Sequence, residues 1–165
     1  MATEALTVKN HPTKAQWDEV NKTLSGRWGS AYFLIDGYAI YASVEQVSRS
    51  LKIIVYVNGW LKGSDLWRGR DSELEQMPEI ARKFFCLKKT SLHNAKEFKF
   101  YEKLYGSKAK AKANGVYDKY CTTGWGFSSS NAFISHIKKH CDSIEIVSYE
   151  VYNAALDAKE VGDGN

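Results

Sequence analysis

The segment from residue 30 to residue 62 constrains the fold most, because it combines long apolar runs with two turn signals of the same kind. The signals are Asp36-Gly37 and Asn58-Gly59. Both dipeptides tolerate the positive φ angles of the two-residue turns that join antiparallel strands. The segment therefore predicts a β-meander of three long strands, with a short fourth strand after the second turn. The apolar runs cover residues 31–35, 38–42 and 51–57.

A helix is predicted over residues 12–25, before the meander. Thr13 can cap its start, and Trp17, Val20 and Leu24 fall on one stripe of the helix. An amphipathic helix of this kind must pack its apolar stripe against another element. The continuously apolar strand runs also predict a sheet that is covered on both faces.

The second half of the chain predicts helices and fewer strands. The predicted class is α+β: an antiparallel three- to four-stranded β-meander packed with helices, and one further strand near the C-terminus. Residues 1–158 are expected to form a single domain and residues 159–165 a flexible tail. The helices are predicted over residues 74–85, 94–105, 107–114 and 130–141, and the strands over residues 116–121 and 143–147.

Composition excludes several classes of protein. No apolar run approaches the roughly 20 residues that a membrane span requires, and the N-terminal residues lack the pattern of a secretory signal. The chain has three cysteines, an odd number at irregular spacing, which argues against a disulfide scaffold. Reduced thiols in the cytoplasm of a host cell are the expected state.

The charge of the chain is unevenly distributed along its length. The net charge is +4, but residues 81–140 contain thirteen Lys or Arg and only three acidic residues, a net charge of +10. The rest of the chain therefore carries a net charge of −6. A concentrated positive segment favours an anionic partner.

Lysines interleaved with aromatic residues make residues 82–120 the first candidate site. Ammonium groups at this density can neutralise several phosphates and release counterions. A Phe and Tyr stripe on the helix from Asn94 has the spacing of core packing. The alternative is a solvated helix face whose lysines have no partner. The candidate residues for nucleic acid or another anionic partner are Lys88, Lys89, Lys99, Lys103, Lys108, Lys110 and Lys112.

A tryptophan- and arginine-containing segment is the candidate site for a protein partner. Its residues are Trp60, Trp67, Arg68 and Arg70, which are types that anchor protein interfaces, on an expected loop. The equally weighted alternative is that both tryptophans cover the open face of the sheet.

Metal, cofactor and catalytic sites are not indicated. His136 and His140 stand four apart on a predicted helix, as zinc ligands often do, but they lack the glutamate of a zinc protease. Residues 122–130 contain one Gly-x-Gly, which is better explained as a turn followed by a serine N-cap than as a phosphate loop. No nucleophile–base motif is present, and the prediction is a protein without cofactor or enzymatic activity.

One resemblance rests on these same features. Residues 33–60 contain two turns of the form Asp or Asn, Gly, aromatic, and a Lys-rich helix and the run Phe-Ile-Ser-His-Ile-Lys-Lys at residues 133–139 follow. In this the chain resembles an uncharacterised family of small proteins encoded by bacteriophages and mobile elements. The resemblance covers about residues 30–147 and implies a phage-type accessory role. It transfers no functional residues.

Two functional hypotheses follow. The first is a non-enzymatic, phage-type accessory protein that binds a host protein or ribonucleoprotein, with inhibition of host defence, such as a nucleic-acid-guided nuclease (an anti-CRISPR activity), as the expected effect. The second is direct binding of nucleic acid by the lysine-rich surface. An enzyme with a dispersed site is a third alternative.

Overall fold

The computed structural model describes residues 10–162, and the side chains of residues 10–160, as an α+β protein with two sheets. The helices are α1 (Lys14–Ser25), α2 (Glu79–Phe84), α3 (Ala95–Tyr105), α4 (Lys108–Ala113), α5 (Ser130–His140) and α6 (Tyr149–Gly162). The strands are β1 (Ser30–Ile35), β2 (Tyr38–Val47), β3 (Ser50–Val57), β4 (Arg68–Arg70), β5 (Cys86–Ser91), β6 (Lys119–Gly124), β7 (Gly126–Phe127) and β8 (Ile144–Val147).

The larger sheet contains the predicted meander. Its five strands lie in the order β7-β3-β2-β1-β8, and every neighbouring pair is antiparallel. The consecutive pairs β1–β2 and β2–β3 confirm the three-stranded meander. The strand predicted near the C-terminus is β8, and it joins this sheet beside β1.

The first predicted turn joins two strands as expected. Asp36 and Gly37 have φ angles of 48° and 83° and connect β1 to β2. The connection between β2 and β3, in contrast, contains no glycine and was not predicted. It turns at Ser48, whose φ angle is 58°.

The second predicted turn forms, but the fourth strand does not. Asn58 and Gly59 have φ angles of 49° and 80°. Val57 and Trp60 exchange two backbone hydrogen bonds of 3.1 Å across this turn. The pairing stops after that single bridge. An Asn-Gly signal thus fixes the local turn, while the residues beyond it decide whether a hairpin continues.

The core lies between one face of the large sheet and the helices α1, α2 and α5. Trp17, Val20 and Leu24 of α1 are buried, which confirms the predicted stripe. Phe33 of β1 packs edge-on against Phe133 of α5, with ring centroids 5.9 Å apart. Both phenyl rings are fully buried.

The opposite face of the large sheet is covered in part by α6, which was not predicted. Tyr152 of α6 is buried against Tyr32 and Tyr41, with centroids 5.1 and 6.3 Å apart. The prediction of a sheet covered on both faces is therefore confirmed. Residues 159–162, assigned to a tail, belong to the last turn of α6, and Lys159 Nζ donates to Gly37 O at 2.6 Å. Residues 163–165 of the predicted tail lie outside the described residues.

The helix predicted over residues 74–85 is interrupted, so this prediction was wrong. Residues Asp71–Gln76 form a 3₁₀ segment, and α2 begins only after Pro78. Proline lacks the amide donor that a continuous helix needs, and its ring clashes with the preceding turn. Pro78 therefore starts a new helix instead of lying inside one.

A second, three-stranded antiparallel sheet was not predicted. Its order is β4-β6-β5, so the central strand is the last of the three in sequence. The strand predicted over residues 116–121 is β6, which begins three residues later. Residues 92–118 leave the sheet between β5 and β6 and contain α3 and α4. We call residues 92–118 the helical insertion.

Candidate anion-binding surface

The three-stranded sheet has one face toward the core and one toward solvent. On the core side, Cys121 and Thr123 of the central strand are buried. Residues directly opposite one another on neighbouring strands share a face, so the register fixes which side chains lie on the solvent side. Two adjacent rows cross that face. The first row consists of Arg68, Thr122 and Lys88, and the second row consists of Arg70, Tyr120 and Thr90. We call these six residues the sheet face.

Two acidic residues near this sheet, Glu73 and Asp71, lie on its other side. Gly69 lies between Arg68 and Arg70 in β4, so a Cβ added to it would point to the opposite face of the sheet. That Cβ would stand 2.5 Å from the ring of Trp67 and 3.0 Å from Glu73 Oε2. Asp71 accepts a 2.5 Å bond from Lys89 Nζ, beside the buried Cys121 thiol. Lys89, a predicted anion-binding residue, is therefore not part of the sheet face. Its charge is neutralised by Asp71, and it lies in the same row as the buried Cys121.

The cations of the sheet face have no such partner. Arg68, Arg70 and Lys88 are exposed, and none of them forms an ion pair with another described residue. Three positive charges are thus presented on one face that contributes no carboxylate. An arrangement of this kind attracts anions.

The helical insertion is held together by its own aromatic residues and not by the core. Phe98 stacks on Tyr117 with centroids 4.7 Å apart, and Tyr101 lies 4.7 Å from the ring of His93. No residue of α3 is buried. The Phe and Tyr stripe on this helix therefore does not pack into the main core, contrary to what its spacing suggested.

The ends of α3 follow the sequence prediction closely. Asn94 caps the helix by accepting from the amides of Lys96 and Glu97, and Glu97 accepts from the Asn94 amide at 2.7 Å. Gly106, with a φ angle of 82°, ends it. These reciprocal bonds make the start of α3 a complete capping box.

The two acids of α3 are engaged by groups other than lysine. Glu97 caps the helix, and Glu102 accepts a short hydrogen bond from the hydroxyl of Tyr117. That bond raises the pKa of Tyr117 to about 12. Six exposed lysines of the insertion form no ion pair with another described residue: Lys96, Lys99, Lys103, Lys108, Lys110 and Lys112.

The insertion and the sheet face meet at Gly115. This glycine has a φ angle of 74°, and an added Cβ would stand 3.0 Å from Asp118 Oδ2 and 3.8 Å from Arg70 Nη1. Asp118 and Arg70 do not form an ion pair. The chain just after α4 therefore lies beside Arg70 of the sheet face, and the Asp118 carboxylate lies at this junction.

A groove continues the sheet face toward the large sheet. It has a volume of about 410 Å³ and lies between Lys88 and Thr122 on one side and Lys52 and Ile54 of β3 on the other. Glu45 also lines it and accepts a 2.8 Å bond from the Tyr56 hydroxyl. Burial and then the Glu45 carboxylate raise the pKa of Tyr56 to about 12.

The residues predicted for a protein partner are divided between two places. Arg68 and Arg70 lie on strand β4 and not on a loop. Trp67 is half-buried, packs against the core and exchanges backbone and side-chain bonds with Thr123. Trp60 is exposed and lies beside α6, in a groove with Lys159.

The two histidines on α5 are neighbours, but they are not part of a metal-binding cluster. Their rings lie 4.5 Å apart, and His136 Nε2 is 3.1 Å from Arg82 O. Burial, together with the nearby His140, lowers the pKa of His136 to about 4. Among residues 10–162, no group of three or more His, Cys, Asp or Glu is placed to hold a metal ion.

The Gly-x-Gly segment acts as a connection between elements. It links the three-stranded sheet to β7 of the large sheet, where Phe127 is buried. Ser129 then caps α5 by accepting from the Ala132 amide at 3.1 Å. This geometry matches the predicted turn and serine N-cap.

Within the described part of the chain, no helix has the length and apolar composition needed to cross a membrane. Comparisons of the chain with protein-family models, with curated proteins and with solved structures find no match. The resemblance to a phage-encoded family therefore stays a prediction, and function has to be argued from the surface itself.

Proposed function

We propose that the protein is a non-enzymatic binder of nucleic acid, and that the sheet face and the helical insertion form the binding surface. The observation that carries this proposal is the separation of charge. Exposed cations that form no ion pair with another described residue occupy both regions, while Asp71, Glu102 and Glu97 are engaged by Lys89, Tyr117 and a helix cap, and the Asp118 carboxylate lies near Arg70.

The physical basis is counterion release. Each phosphate that a lysine or arginine neutralises frees a condensed counterion, which gives an affinity independent of sequence and strongly dependent on salt. A cation already held by a carboxylate contributes little, because the pair must be broken first. Unpaired cations such as Lys88 and Lys99 have no such cost.

Titration of labelled oligonucleotides at two salt concentrations tests the proposal. We expect the affinity to fall steeply between about 50 mM and about 200 mM salt. The double variant Lys99→Ala/Lys103→Ala removes two exposed lysines from one side of α3. It should reduce the slope of log K against log[salt] by about 1.4 for a single strand or about 1.8 for a duplex.

A matched double variant controls for net charge. Lys14→Ala/Lys22→Ala removes two exposed lysines from α1, whose Trp17 packs against Phe33 of β1 and which belongs to neither the sheet face nor the helical insertion. It should leave the slope unchanged. Equal effects of the two double variants, or no binding to any oligonucleotide at low salt, would refute the proposal.

A specific observation also favours the hypothesis of a host-protein partner. Phe100 and Leu104 are exposed one turn apart on α3, beside Lys96 and Lys103. Exposed apolar residues rimmed by cations suit a protein surface with an apolar centre and acidic edges. A phage-type accessory protein that inhibits host defence in the cytoplasm would bind its target with this face.

One double variant distinguishes the two functions. Phe100→Ser/Leu104→Ser should abolish capture of a stoichiometric host protein, as measured by affinity purification and mass spectrometry. The same variant should bind nucleic acid like the wild type, since no lysine is changed. Retention of the host protein by this variant would rule out α3 as its docking face.

A further inference from the structure

The sheet face has an exposed aromatic ring on its central strand. Tyr120 lies on the central strand β6, directly opposite Arg70 on one side and Thr90 on the other. It is 38% exposed and makes no ring contact with another aromatic residue of the described chain. Core packing therefore does not account for an aromatic residue at this position.

The three cations of the sheet face lie on the two strands that flank Tyr120. Arg68 and Lys88 lie two residues along β4 and β5 from the Tyr120 row, which is about 7 Å from it at the rise of an extended strand. The two flanking strands are about 10 Å apart, with the tyrosine between them. Positive charges thus lie on both sides of one exposed aromatic surface.

The groove beside Lys88 is a second part of the candidate binding surface, because it shares Lys88 and Thr122 with the sheet face. Its wall includes Trp125 and Ile54, and Lys52 stands at its edge. A volume of about 410 Å³ falls within the range of small-ligand pockets, about 300–1,000 Å³. An apolar wall beside a cation is suited to a planar base that is attached to a phosphate.

We infer that the nucleic acid bound here is single-stranded, and that it crosses the sheet face with one base stacked on Tyr120 and its phosphates on Arg68, Arg70 and Lys88. This inference rests on the proposed function and specifies its ligand. Base faces are available to an aromatic side chain only when the strand is unpaired, since in a duplex they stack on one another. The major groove of a duplex instead admits a helix or a two-stranded ribbon.

Titrations with the wild-type chain separate this inference from the proposed function. The probes are a labelled oligothymidine of about 12 nucleotides and a duplex of the same length, at about 50 mM salt. We expect the single strand to bind more tightly. Tighter binding of the duplex would overturn the inference and leave the proposed function standing, whereas failure of both probes to bind would overturn both.

Substitutions of the central tyrosine test the stacking contact. Tyr120→Ala should weaken single-strand binding by about 5- to 100-fold, the effect of losing one base–aromatic stack, and Tyr120→Phe should keep it within about twofold. Tyr149→Ala removes an exposed tyrosine from α6 as a control and should have no effect. Unchanged single-strand binding by Tyr120→Ala would refute the stacking contact.

Photocrosslinking of the wild-type chain gives the same answer without a variant. A 4-thiothymidine oligonucleotide should crosslink to the tryptic peptide of residues 120–138, which follows Lys119 and ends at Lys138. Crosslinks confined to peptides of the helical insertion would place the strand elsewhere and overturn the inference, even if binding is tight.

Discussion

Asp36 connects three parts of the molecule, and its replacement by asparagine should be more destabilising than its position in a hairpin turn suggests. Its carboxylate accepts a 2.6 Å bond from Lys83 Nζ of α2 and bonds of 2.7 and 3.2 Å from the amides of Ser143 and Asp142. The side chains of Asp36 and Lys83 are only 11% and 17% exposed. The turn that begins the meander is thereby joined to α2 and to the loop before β8.

The magnitude follows from which bonds asparagine can replace. An asparagine at this position would keep an oxygen for the Ser143 amide and tolerates the φ angle of 48°. It would lose the charge-assisted bond to Lys83, worth about 1.5–3 kcal/mol. Lys83 retains Glu79 at 3.0 Å, but Glu79 is 59% exposed, so solvent screens that bond. We expect Asp36→Asn to cost about 2 kcal/mol, or a melting temperature about 4–8 °C lower.

The pH dependence of this loss follows from two pKa shifts of opposite sign. Burial alone would raise the pKa of Asp36, but the bonds from Lys83, Ser143 and Asp142 outweigh it and lower the pKa. The stabilisation is therefore present above the unfolded pKa of about 3.8 and is lost as the pH falls further. Burial would lower the pKa of Lys83, but Asp36 and Glu79 raise it. Its stabilisation is therefore present below about 10.5 and is lost as the pH rises through the folded value.

Chemical denaturation of the wild type and of Asp36→Asn at several pH values is the assay. The difference in unfolding free energy should be largest near neutral pH and should shrink toward pH 3. Asp71→Asn is the matched control, since Asp71 and Lys89 form an equally short pair but are 37% and 39% exposed. It should cost at most about 1 kcal/mol. Equal losses in the two variants, or an Asp36→Asn loss independent of pH, would refute the reasoning.

Three further predictions concern single residues of the fold. Gly69→Ala should destabilise the protein by about 1–3 kcal/mol in denaturant unfolding, because its Cβ would stand 2.5 Å from the Trp67 ring, whereas Gly124→Ala, with no atom within 4 Å, should cost less. His136 should titrate near pH 4 by NMR; a midpoint above 6 would contradict its burial. Ser48→Gly should stabilise the protein by a few tenths of a kcal/mol, since its φ angle is 58°, and a loss of stability would contradict this.

Elements with local signals could be predicted from the sequence. The cap at Thr13, the turn at Asp36-Gly37 and the box around Asn94 each depend on residues within three positions of one another. Such signals specify their own geometry whatever surrounds them. The helix α6 has a comparable local signal, since Ser148 accepts from the Val151 amide, although no helix was predicted there.

The three-stranded sheet could not be predicted in the same way. Strand β4 has only three residues, Arg68–Arg70, and β5 reads Cys-Leu-Lys-Lys-Thr-Ser, without apolar alternation. Both strands are defined by pairing with β6, which lies far along the chain from β4. Strand propensity depends strongly on such context. The candidate site was therefore divided in two, with Lys88 in a nucleic-acid set and Arg68 in a protein-partner set, although the register puts them in one row.

The structure uses its cations in two separate ways, and this makes folding and binding experimentally separable. Lys83 is half-buried and pairs with Asp36 and Glu79, so its loss would affect stability. Arg68 and Lys88 form no ion pair with any acid among the described residues, so replacing either with alanine should change the unfolding free energy by less than about 0.5 kcal/mol. Any loss of oligonucleotide affinity in those two variants would then report on binding alone. The charge pattern thus allows a direct test of the surface in a protein whose fold the test does not disturb.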